Sequence, residues 1–154
     1  MALMNVFCVI WVCTCNLIYS QATIDQGWTL VNKKAAFSRR ASPHGVNVNG
    51  TFIVTGGRNG TETMHNDVWL SNDKGISWEL VVAHAPWEPR AYHFSLYLNN
   101  YLYVIGGQGG DGFSDFFDDI WRSNDFGKTW ELVVEHAPFG KRAGGYGFVY
   151  DNKM

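Results

Sequence analysis

Arg40, Arg90 and Arg142 recur along the chain at intervals of 50 and 52 residues, each just ahead of a run of strand-forming residues. Three guanidinium forks at equivalent places could converge on a carboxylate or a sulfate and hold it bidentately. The same donors could instead be used up inside the protein, on backbone carbonyls or on a carboxylate such as Asp67 or Asp119, and the number of N–H groups each arginine must satisfy makes that structural use the stronger expectation. A second candidate is DGFSDFFDD, residues 111 to 119, in which Phe113, Asp115 and Phe116 offer aromatic and acidic groups for stacking on a sugar face or engaging a protein. Its competing use is a plug of phenylalanines tucked over the interior, because exposed aromatic rings are costly.

Other chemistry finds less support. The carboxylates of DGFSDFFDD lack the Gly and Glu placement of an EF-hand loop. His84 and His136, in VAHAP and VEHAP, have no second histidine at ligand spacing, so they read as loop-packing residues, and His44, His65 and His93 stand alone. No metal site and no cofactor is expected. With no activated nucleophile or paired carboxylates at a defined spacing, binding is a better expectation than catalysis.

The elements that must position these residues are written twice. Residues 28 to 57 lie on 78 to 107 without a gap at an offset of 50, matching Arg40 to Arg90 and Gly56-Gly57 to Gly106-Gly107; from Asp67 onward the offset is 52, matching Trp69 to Trp121 and Trp78 to Trp130. A period of this length is the signature of a propeller or solenoid. Each unit holds four short runs rich in β-branched and aromatic residues, in the second unit about Tyr92 to Leu98, Tyr101 to Val104, Asp119 to Arg122 and Trp130 to Val134. Asn49-Gly50, Asn99-Asn100 and Asp151-Asn152 join the first run to the second and suit a two-residue hairpin turn with positive φ. SNDKGISW (71–78) and SNDFGKTW (123–130) sit between the third and fourth runs. There Ser71, Asp73 and Gly75, and likewise Ser123, Asp125 and Gly127, predict a hydrogen-bonded turn that delivers Trp78 or Trp130 to the fourth strand.

These residues resemble two known patterns. Arg90, the run Tyr101 to Gly107, Asp119 to Trp121 and Trp130, with Arg40, Gly56, Gly57, Trp69 and Trp78 in the first unit, look like a kelch repeat; SNDKGISW and SNDFGKTW look like the Asp-box turns of sialidases and other extracellular propellers. The resemblance covers about residues 28 to 154. It implies an all-β, kelch-type β-propeller, here about two complete four-stranded blades (units about 40–90 and 91–142) with single strands at both ends, near Trp28 and Phe148. It also implies further blades beyond Met154 to close the ring, since two blades leave sheet edges and apolar faces unpartnered. In the kelch family, arginines at such positions sometimes contact acidic ligands. The arginine triad and Tyr/Glu pair of sialidases are not recognisable, and the crosslinked cysteine of a galactose-oxidase-like copper site has no counterpart after residue 22. The resemblance therefore implies a non-catalytic propeller binding protein or glycan, with the front part of a glycan-acting enzyme as the alternative.

Composition and the amino-terminal segment set the setting. A net charge of -2 argues against nucleic acid or an anionic membrane as partner, and 17 glycines with 16% aromatic residues suit short strands and tight turns. Residues 1–22 contain no charged side chain, carry an apolar stretch too short to span a bilayer, and end with Ser20 and Ala22 at the positions a signal peptidase reads. They predict a secretory leader, hence an extracellular or cell-surface protein with no membrane insertion of the mature chain. All three cysteines fall in that leader, so disulfides would not brace the mature part. Asn49-Gly50-Thr51 and Asn59-Gly60-Thr61 are candidate glycosylation sites.

Overall fold

A computed structural model describes residues 29–60 and 63–154. The expected leader (1–22) and Trp28 lie outside the described residues. The architecture is all-β. In chain order the strands are β1 (His44–Val48), β2 (Thr51–Thr55), β3 (Arg58–Asn59), β4 (Thr63–Met64), β5 (Val68–Ser71), β6 (Glu79–Val82), β7 (Arg90–Ala91), β8 (Phe94–Leu98), β9 (Tyr101–Gly109), β10 (Asp115–Ser123) and β11 (Glu131–Val134), with a 3-10 turn at Asp111–Phe113. β1, β2, β5 and β6 form one antiparallel four-stranded sheet; β8, β9, β10 and β11 form a second, with β7 added to the far end of β9. These are two propeller blades, and the short β3–β4 arm extends the loop between the second and third strands of the first.

Each blade is built by its sequence in a traceable way. The hairpin turn Asn49-Gly50 has φ of 51° and 91°, Asn99-Asn100 has 50° and 66°, and Asp151-Asn152 has 48° and 56°. Both central residues at positive φ is the turn whose twist matches a right-twisted strand pair, which is why Asn, Asp and Gly occupy it. The second strands, TFIVT in β2 and YLYVIGGQG in β9, run through the middle of their sheets and are largely buried. Val48, Ile53, Val68 and Leu70 of the first blade share one core with Trp87, Leu102 and Val104 of the second, while Leu96, Leu98, Tyr103 and Ile105 gather on the second blade's opposite face with Phe139.

The octapeptides form equal turns. Asp73 accepts from the Ser77 amide at 2.9 Å and from the Ser77 hydroxyl at 2.6 Å, Ser71 Oγ accepts from the Gly75 amide at 2.8 Å, and Trp78 Nε1 donates to the Gly75 carbonyl at 3.2 Å. Asp125, Ser123, Thr129, Gly127 and Trp130 repeat every one of these bonds. The Ser77 hydroxyl and amide, with Ser71, push the Asp73 pKa down to about 2.

Two expectations are corrected. Near Phe148 no regular strand forms, only a bridge from Tyr150 to Lys153; the strand expected near Trp28 falls partly outside the described residues, and residues 29–43 carry an isolated bridge from Ala41 to Arg58. A strand needs a ladder of hydrogen bonds to a neighbour, and among the described residues neither segment has more than an isolated bridge. Conversely, the third run of the second unit, expected from about Asp119, begins earlier, since β10 starts at Asp115 and pairs Phe116 with Gln108 and Phe117 with Gly107.

Candidate functional site

The loops between second and third strands and those entering each blade meet at one end of the molecule. Asn66 shows this directly, as its carbonyl accepts from the Ala85 amide at 2.9 Å and its side chain donates to the Ala85 carbonyl at 2.9 Å; the carbonyl of Asp118 takes the Ala137 amide at 2.9 Å in the next unit. The Ser/Asp turns occupy the opposite end, between β5 and β6 and between β10 and β11.

At the loop end the arginines are not alike. Arg40 gives a bidentate pair to Asp67, at 2.5 and 2.9 Å, and a further bond to the Gly56 carbonyl at 2.9 Å. Arg90 does the same with Asp119, at 2.5 and 2.8 Å, and with the Gly106 carbonyl at 3.0 Å. Arg90 is fully buried and Arg40 only 5% exposed. The donors of these two arginines are thus spent inside the protein, on backbone carbonyls and on Asp67 or Asp119, the use given the greater weight above, which leaves little of either fork for a ligand. The register slip between Phe117 and Ile120 takes Asp119 out of the ladder and lets its carboxylate reach Arg90. Burial pushes the Asp67 pKa up, but hydrogen bonds from Arg40 and Trp69 and the Arg40 charge outweigh it and hold it below the ordinary carboxylate value. Arg142, by contrast, is exposed, lying over the Phe139 ring at 5.1 Å with Nε 3.3 Å from the Gly140 carbonyl.

The glycine pairs stitch one unit to the next. The Gly57 amide donates to the Arg90 carbonyl and the Gly107 amide to the Arg142 carbonyl, both at 2.9 Å. A Cβ on Gly56 would stand 2.7 Å from the Arg90 oxygen, and one on Gly107 2.8 Å from His93 Cβ, so only glycine allows the approach. A second thread runs through Ser42, Tyr92 and Gly144, with the Tyr92 amide 3.3 Å from the Ser42 carbonyl and the Gly144 amide 2.8 Å from the Tyr92 carbonyl. All three have positive φ, of 51°, 55° and 74°.

Two groupings escaped the sequence reading. The first is a buried polar cluster at the blade junction, where Thr55 Oγ1 lies 2.9 Å from His93 Nε2 and 3.1 Å from Ser95 Oγ, and His44 Nδ1 accepts from the Ser95 amide at 3.0 Å. It joins residues 38 to 51 positions apart, so no local spacing announces it. Burial, followed by the charges of His44 and Arg90, lowers the His93 pKa well below 6.5, and burial lowers that of His44. Unfolded, both histidines would take a proton below pH 6.5; folded, they resist it, so their contribution is complete above that pH and is lost as pH falls through it. Unfolding free energies from urea titration should accordingly drop between pH 7 and pH 5, by up to about 1.4 kcal/mol per pH unit for each histidine, and His93→Gln should flatten the profile. An unchanged slope in that variant would place the acid sensitivity elsewhere.

The second grouping surrounds Arg58. Its guanidinium lies over the Tyr92 ring at 5.5 Å and the Phe113 ring at 5.2 Å, and Nη1 donates to the Gly60 carbonyl at 2.9 Å. Phe113, with φ of 60°, is fixed by Gln108 Nε2, which donates to its carbonyl at 2.5 Å. The other predicted aromatic and acidic residues diverge. Phe116 is exposed, Asp115 is exposed beside Ser114, and Phe117 covers Arg90 at 4.2 Å. His84 and His136 bond to Asn66 and Asp118 at 3.2 Å each, in equivalent exposed positions.

Blades of this kind, joined through shared cores and inner-edge hydrogen bonds, define the class as a β-propeller. The chain belongs to the DUF6242 beta propeller domain family, whose pattern matches residues 11–146. It is also similar to N-acetylneuraminate epimerases, being 31% identical over 107 residues to that of Shigella flexneri serotype 5b and 31% identical over 107 residues to that of Escherichia coli strain K12. That stretch is 68% of this chain and 28% of either relative. The solved structure of YjhT superposes with a TM-score of 0.63 at 26% identity, over 80% of this chain and 35% of that one. The chain thus spans about a third or less of the relatives it matches.

Proposed function

We propose that this chain is the front part of a kelch-type propeller that binds a glycan through its loop end, the ligand being an acidic sugar of the N-acetylneuraminate class. The observation that carries the reading is the division of labour between the two ends. One is closed by self-satisfied Ser/Asp turns of the Asp-box kind, whereas the other gathers the long second-to-third-strand loops with Arg58, Tyr92 and Phe113. The similarity to proteins named for N-acetylneuraminate supports the sugar class. Further blades would cover the apolar face of the second blade and the exposed Tyr146, Phe148 and Tyr150. The leader reading makes the protein extracellular or cell-surface, with glycans on the exposed Asn49 and Asn59.

A second reading, part of a glycan-acting enzyme, is favoured by the epimerase activity in the relatives' names. Saturation-transfer NMR with N-acetylneuraminate, followed over time for interconversion of its epimers, tests both. Binding without interconversion is the expected result; interconversion supports the second reading, and no transfer to the sugar contradicts both.

A further inference from the structure

We infer that Arg58, flanked by Tyr92 and Phe113, is the anchor for the carboxylate of that acidic sugar, an assignment that rests on the sugar-binding reading above. Three observations carry it. First, among the described residues the Arg58 fork is not consumed, and it lies between two aromatic rings, whereas the exposed Arg142, also without a carboxylate partner, lies over Phe139 alone. Among the described residues Arg58 has no carboxylate partner, and its single side-chain bond is that from Nη1 to the Gly60 carbonyl. Its Nε is buried and has no acceptor among the described residues, so the accessible part of the fork is the Nη side. The planar guanidinium suits a carboxylate better than a point charge does.

Second, the two rings are placed against the backbone's preference. Tyr92 and Phe113 have φ of 55° and 60°, a region bulky residues rarely adopt. The repeat requires positive φ at the Tyr92 position, and the equivalents are Ser42 and Gly144. An aromatic residue there is thus not what the backbone selects; what it adds is a ring against Arg58. Phe113 comes from the next blade's loop, held by Gln108, which occupies in β9 the place Arg58 holds in β3: Ala91 pairs with Gln108 as Ala41 bridges to Arg58. Strain of this kind gathers where a ligand is clamped.

Third, the neighbourhood is right for a sugar acid. Arg58, Tyr92 and Phe113 are each only partly buried, so the charge is accessible while the rings offer apolar faces for a pyranose. The hydrogen-bond thread through Ser42, Tyr92 and Gly144 fixes this wall from blade to blade.

The test is calorimetric titration of the full chain with N-acetylneuraminate and with its methyl ester, which is the same sugar without the charge. Wild type should prefer the acid by at least about tenfold, the value of a charge-assisted bond. Arg58→Gln should bind acid and ester alike, Arg58→Lys should keep part of the preference, and Phe113→Ala should weaken both ligands while leaving the preference in place. Thermal melts of each variant report whether it is folded, and Arg58→Lys decides the matter if Arg58→Gln is not. Equal binding of acid and ester by wild type leaves the sugar reading standing and removes this assignment. A preference kept by Arg58→Gln, or lost instead in Arg142→Gln, overturns it by pointing to another cation. If wild type binds neither, both readings fall.

Discussion

Arg90→Ala is expected to lose about 3–5 kcal/mol of folding stability, a large share of what a domain of this size has. The guanidinium is fully buried and holds the Asp119 carboxylate bidentately, the Gly106 carbonyl, and the backbone carbonyl of Glu88 at 3.0 Å, with the Phe117 ring stacked on it. Truncation strands Asp119, whose side chain is only 18% exposed, without its counter-ion, and opens a hole at the blade junction. Arg142→Ala is the matched control. It changes an exposed arginine at the equivalent repeat position, and its effect should stay within about 0.5 kcal/mol. Urea denaturation followed by tryptophan fluorescence measures both. Equal midpoints for the two variants would show that the buried ion pair does not brace the fold.

Trp87→Ala should cost about 3–5 kcal/mol as well, by the removal of a large buried aromatic. Its side chain is 1% exposed, meets the Trp130 ring edge-on at 5.9 Å and packs among Ile53, Val68, Leu102 and Val104, residues drawn from both blades. It is therefore the plate on which one blade lies against the next. The equivalent position in the first unit is Phe37, 5.2 Å edge-on from Trp78, and in the third Phe139. Leu80→Ala, on an outer strand and 47% exposed, should cost under about 1 kcal/mol. A Trp87 variant no weaker than the Leu80 one in the same urea titration would contradict a shared inter-blade core.

Much of this arrangement can be read in the sequence because the repeat states it twice. The positive-φ pairs of the hairpins, the Ser/Asp turns and the Arg-to-Asp pairings all depend on residues within one unit, and comparing the two copies isolates them. What could not be read depends on contacts between units. Thr55, His93 and Ser95 look isolated in the chain and meet only when the first blade's inner strand β1 packs beside β8. The third run of the second unit reads as starting at about Asp119, but pairing with an extended β9 carries the strand back to Asp115. Arg58 has Gln108 as its counterpart, so the repeat does not flag it, and the left-handed backbone of Tyr92 and Phe113 leaves no trace in residue type. The strand expected near Phe148 is legible as pattern, but pattern cannot supply the neighbour a strand must bond to.

Hydrogen exchange of the chain with and without N-acetylneuraminate tests the central claim most directly. Slowed exchange should appear in residues 56–60 and 106–117 and around Tyr92, and not in the turns at 71–78 and 123–130. Protection centred on those turns, or on the apolar face around Leu96 and Tyr103, would contradict a ligand site at the loop end.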